Sequence, residues 1–125
     1  MSKPVIWITR TLSNATLERA RRDYEVIWNA ADTPGSAEDI IRMSASVDGI
    51  IPCHSEHFSA DVVAQLDPRL KIVANHSVGV DHCDLDALRD NGIVVTNTPD
   101  VLSDATAELA MMLMLERSHT LMELK

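Results

Sequence analysis

Aromatic side chains are nearly missing from this chain: one Phe, one Tyr and two Trp among 125 residues. Any core must therefore be assembled from Val, Ile, Leu, Ala and Met. Cysteine is almost as scarce. Cys53 and Cys83 are too few for a disulfide scaffold and show no CxxC spacing, so a reduced, cytoplasmic setting is the default expectation. Long apolar runs are missing too. The N-terminal "MSKPVIWITR" has no signal-like apolar stretch, and Leu109–Leu115 is far shorter than the ~20 residues a spanning helix needs. Basic residues are outnumbered 11 to 19, for a net charge of −8, which repels phosphate backbones. Neither nucleic acid nor membrane is an expected partner. What is present, 46% hydrophobic and 24% charged residues, is ordinary for a globular chain of one domain.

Short apolar runs alternate with stretches of helical spacing. Strands are expected at Val5–Thr9, Tyr24–Trp28, Val47–Ile51, Leu70–Asn75 and Ile93–Thr96. Helices are expected at 14–23, 37–44, 60–66 and 84–90. Several strands are apolar without alternation, as when helices cover both faces of a parallel sheet. The alternation argues for an open, doubly wound α/β domain. Ser59 reads as a helix start and Gly92 as a helix stop. A last helix opens with Ser103 as its expected N-cap and runs into "LAMMLML" (109–115), apolar on every side. Such a helix is buried all round or wants a partner.

One stretch, "VANHSVGVDHCDLDAL" (73–88), concentrates chemistry. In open α/β sheets ligands sit beyond the carboxyl ends of strands, and His76-Ser77-Val78-Gly79 follows such an end. Gly79 can take positive φ and lets a ligand approach the backbone closely. Successive free N–H groups there would cradle a carboxylate or phosphate. On spacing alone a plain strand-exit turn is the preferred reading. A metal reading gathers Cys53, His54, His57, His76, His82 and Cys83, but no ligand spacing of a known kind links them. Asp81, Asp84 and Asp86 stand where a helix begins, and capping explains them. No GxGxxG or GxxxxGK[ST] occurs in the sequence. A phospho-receiver reading lacks an Asp after the third strand, and a flavodoxin reading lacks Gly in "TRTLSNAT" (9–16).

The segment from Leu70 to Leu115, through "SVGVDH", "NGIVVTNTPDVL" and "DATAELA", resembles the D-isomer-specific 2-hydroxyacid dehydrogenases, nearest the glyoxylate/hydroxypyruvate reductases. "DGIIPCHSEHFSADVVAQLDPRL" is similar to the strand and helix that precede it in that family. The resemblance implies a flavodoxin-like open parallel sheet of about five strands with helices on both faces. It implies a substrate-binding domain at 1–102, an interdomain or interface helix at 103–118 and a tail at 119–125, with the NAD-binding domain absent. It also implies that the amides of Val78 and Gly79, with Ser77 beside them, hold the substrate carboxylate. Cys53 and His54 would lie on the pocket wall, Thr106 near the nicotinamide, and Asn97-Thr98-Pro99 near the hinge.

By the same resemblance, the complete enzyme uses NAD or NADP to move a hydride on the CH–OH group of a small 2-hydroxy acid. The family's catalytic Arg, Glu and His have no counterpart in these residues. The expectation is therefore a truncated chain that is inactive alone, binds no cofactor and forms a homodimer through 103–118. The alternative is a standalone α/β module that binds a small carboxylate or pairs with a full-length homologue.

Overall fold

The computed structural model describes residues 2–100 and 103–123. Val101 and Leu102, which close the "NGIVVTNTPDVL" block, and Leu124 and Lys125 at the end of the tail lie outside the described residues. The elements alternate: β1 (Val5–Ile8), α1 (Asn14–Asp23), β2 (Glu25–Trp28), α2 (Ala37–Ser44), β3 (Gly49–Ile51), α3 (Ala60–Val63), β4 (Ile72–Ala74), α4 (Leu85–Asp90), β5 (Val94–Thr96) and α5 (Ser103–Glu123). The five strands form one sheet in the order β2-β1-β3-β4-β5, every neighbouring pair parallel. This is the flavodoxin-like order, which reverses direction at β1 and β3.

Successive strand side chains point to opposite faces, and the two faces are packed differently. Trp7, Ile50 and Val73 face one layer, built with Ile40 of α2, Val62 and Val63 of α3 and Leu88 of α4. The other face has only Ile6 and Ile8 buried against Leu17 of α1. Farther along that face Ile51, Ile72 and Ala74 are half-buried and Val94 is 57% exposed. Helices thus occupy both faces, but among the described residues α1 alone covers the second. Full burial of an aliphatic side chain contributes about 1.5–3 kcal/mol, so most of the cohesion lies on the Trp7 side.

The caps follow the sequence signals. Ser13, Ser59 and Asp84 accept from the N–H groups of Thr16, Val62 and Ala87, and Ser36 with Asp39 forms a capping box. Gly92 takes φ 73°, and Ile93 N–H bonds Leu88 O across it, closing α4 in the left-handed manner glycine permits.

Several element ends differ from expectation. Tyr24 caps α1, its N–H on Ala20 O, and Ile93 caps α4, so neither belongs to a strand. The helix expected over 60–66 stops at Val63. Gln65 and Leu66 bond three residues back instead, tightening the chain ahead of Pro68. Ser103 is the first helical residue of α5 rather than the residue before it. The expected tail is helical as far as Glu123, since no Gly or Pro interrupts the sequence after Ser103.

Candidate functional site

The carboxyl ends of β1, β3 and β4 are stitched together before any site residue is placed. Arg10, after β1, donates to Asp32 (3.1 Å) and to Ser55 Oγ (3.0 Å). His76 N–H reaches across to Pro52 O (2.8 Å), tying the exit of β4 to that of β3. Phe58 N–H donates to His82 O, and Asp84 N–H donates to Phe58 O, each at 2.8 Å. These bonds join the segments 52–58 and 76–84 at both ends.

Within it the turn 77–79 has a one-sided hydrogen-bond pattern. Its three carbonyls are all engaged. Ser77 O accepts from Thr98 N–H (3.0 Å), Val78 O from Asn97 Nδ2 (2.8 Å) and Gly79 O from Ser77 Oγ (2.8 Å). The N–H groups of Ser77, Val78 and Gly79 donate to no protein acceptor among the described residues. Three consecutive unpaired donors beside tied-off acceptors make an anion-seeking concavity. Gly79 does not use positive φ, contrary to expectation; among the glycines only Gly92 does. Its contribution is space, because a Cβ there would meet nothing within 4 Å.

The turn opens on a cleft of about 500 Å³ lined by His54, His57, His76, Asp81 and His82 as well as 77–79. Of the residues singled out in the sequence, Ser77, Val78, Gly79 and His54 are brought together here. Cys53 stands just behind, its Sγ 3.6 Å from His76 Nδ1. Burial, and then the nearby Glu56, hold the Cys53 thiol pKa up, so it stays protonated. Thr106 is exposed on α5 and does not line the cleft. Asn97 and Thr98, expected near a hinge, also clamp the turn.

One feature escaped sequence reasoning. Glu56 is fully buried and accepts from Gly35 N–H (3.0 Å), Cys53 N–H (2.8 Å) and Ser55 Oγ (3.2 Å). Nothing in its spacing marks it. His54, His57, His76 and His82, gathered in the sequence only under a metal reading, meet here because both carrying segments follow adjacent strands at the ligand-binding edge. For a dinucleotide the described residues offer a short free-amide turn, and Thr106 does not line the cleft beside it. Among the described residues no three His, Cys, Asp or Glu side chains are placed to hold a metal ion.

A doubly wound sheet with free amides at its carboxyl edge is a usual setting for small-molecule binding. Residues 6–121 match the family model described as "D-isomer specific 2-hydroxyacid dehydrogenase, catalytic domain". The chain belongs to the D-isomer-specific 2-hydroxyacid dehydrogenase family. It is 37% identical over 115 residues to a glycerate dehydrogenase of Hyphomicrobium methylovorum, covering 92% of this chain and 36% of that protein. It is 37% identical over 122 residues to a glyoxylate reductase of Thermococcus onnurineus, covering 97% and 36%. A solved structure from Polaromonas sp. JS6 66, ascribed to the same family and described as NAD-binding, superposes with a TM-score of 0.79 at 34% identity, covering 88% of this chain and 34% of that one. The chain thus spans 36% of the length of these two curated relatives.

Proposed function

We propose that these residues form the substrate-binding part of an NAD(P)-dependent oxidoreductase acting on the CH–OH group of small 2-hydroxy acids, of the glyoxylate/hydroxypyruvate reductase type. The observation that carries this reading is the turn 77–79, with three free N–H groups and three occupied carbonyls. The substrate carboxylate lies on the amides of Val78 and Gly79, beside Ser77, with His54 and Cys53 on the wall. Relatives named glycerate dehydrogenase and glyoxylate reductase support the substrate class. Hydride transfer, the cofactor and the acid–base groups belong to parts of the two-domain enzyme other than these 125 residues, so the chain alone binds without turnover. Thr106 meets the nicotinamide only once those parts are present. Two free cysteines fit a reducing, cytoplasmic setting.

An NMR titration with glycolate tests the cradle. Saturable amide shifts confined to 77–79 and their neighbours are expected. Gly79→Val keeps stability within about 0.5 kcal/mol, since its side chain enters open space. The same side chain crowds the carboxylate and weakens glycolate binding at least about tenfold. Equal affinity in the two proteins would remove the cradle from the argument.

The second element of the reading is assembly as a homodimer through α5. Leu109, Met111, Met112, Leu113, Met114 and Leu115 are each more than half exposed, along a helix of 21 residues, about 31 Å long. The under-covered sheet face at Ile51, Ile72, Ala74 and Val94 offers a complementary surface in a second copy, and helix exchange is a low-cost way to bring the two together. Light scattering at tens of micromolar is expected to give twice the chain mass; a monodisperse monomer sinks this part.

A further inference from the structure

Four of the five histidines in the sequence line the one cleft beside the turn, in a chain whose net charge is −8. His54 and His57 come from the segment after β3, His76 and His82 from the segment after β4. A carboxylate held on the 77–79 amides uses none of these rings.

The groups facing them are few. Asp81 lies on the lining itself. Glu56 is buried behind it, its carboxylate already accepting three hydrogen bonds. Cys53 is an uncharged thiol beside His76. At the floor, Asn75 Nδ2 donates to Thr96 O (3.1 Å), which leaves Oδ1 to face His82 Nε2 at 2.7 Å. His82 therefore carries its proton on Nε2, and Nδ1 acquires one only when the ring becomes cationic. Burial, then His57 and His54, push the His82 pKa below its usual 6.5, against weaker opposing effects of Glu56 and Asp81. Without a ligand His57 and His54 thus discourage protonation of His82. A carboxylate among them reverses that sign.

We propose that His54, His57 and His82 form a second anion subsite, so that the cleft takes small dicarboxylates, one carboxylate on the 77–79 amides and the other on the imidazole wall, with uptake of a proton on binding. The inference rests on the carboxylate cradle proposed above. A cleft of about 500 Å³ is ample for a four-carbon diacid. Linkage sets the direction: if the bound dianion favours the protonated rings, affinity rises as pH falls, by at most about tenfold per pH unit for each proton taken up.

The test titrates the labelled 125-residue chain with fumarate and with glycolate at pH 8 and pH 6, where both acids are ionised. The fumarate Kd is expected to fall about tenfold at the lower pH, and the glycolate Kd less than about threefold. Calorimetry in two buffers of different ionisation heat counts the proton. His57→Gln/His82→Gln removes two rings while keeping an amide donor for Asn75 Oδ1. It is expected to abolish the fumarate pH dependence and to leave the glycolate shifts at 77–79. His57→Gln alone, at an exposed position, is expected to weaken that dependence without touching the fold. A fumarate Kd equal at the two pH values, or a pH dependence that survives in the double variant, overturns the subsite and leaves the cradle standing. Silent 77–79 amides with both acids overturn the cradle and the subsite with it.

Discussion

Replacing Phe58 by alanine is expected to lower stability by about 4 kcal/mol and to loosen both walls of the cleft at once. Phe58 is the only phenylalanine in the sequence and is fully buried in the larger core cluster with Trp7, Leu88 and Val63. A cavity of that size in a core built of small aliphatics refills poorly, so transfer and cavity costs add. The backbone of the same residue bridges to Cys83 through the bonds with His82 and Asp84. For a domain stable by about 5–15 kcal/mol the loss is a large share. Urea unfolding measures it directly, and amide exchange at 56–58 and 82–84 reports the loosening. A loss below about 2 kcal/mol would show that the cleft walls are not part of the cooperative core.

Glu56→Ala is expected to cost about 3 kcal/mol, mostly because two backbone donors lose their acceptor. The carboxylate joins Gly35, ahead of α2, to Cys53, after β3, from a position with no solvent exposure. Removing it strands the Gly35 and Cys53 N–H groups in a region water enters poorly. Glu56→Gln keeps one acceptor but turns an amide donor toward the other N–H, so it recovers less than half of the loss. The two urea midpoints, with exchange rates at Gly35 and Cys53, decide this. If alanine is tolerated within about 1 kcal/mol, the buried carboxylate is incidental to the fold.

Much of the fold could be read from the chain because its signals are local. All five strands fall within the apolar runs marked for them, and α1 and α2 begin and end at the residues the spacing marked. What went astray were ends set by hydrogen bonds that side-chain pattern does not encode. Leu66 keeps the apolar rhythm of a helix, and its partly buried side chain packs on the core, while its backbone has already switched to shorter bonds. Ile93 looks like a strand residue and is spent on a cap. The candidate cradle was legible as a turn after β4, yet its one-sidedness depends on Asn97 and Thr98, which are distant in sequence from Ser77. Glu56 could not be found at all, since a buried glutamate and a solvated one look alike in a string of letters.

The sheet order has a consequence for how the chain is made. No strand pairs with its neighbour through a hairpin, and β1 needs β3 as well as β2. Ile6 leaves the ribosome well ahead of its partner Gly49, by roughly 2–9 s at about 5–20 residues per second. Until β3 arrives, a ribbon of β1 and β2 has both edges open, a poorly stable unit that other chains can pair with. The half-made sheet is thus a stage at which this protein is open to aggregation.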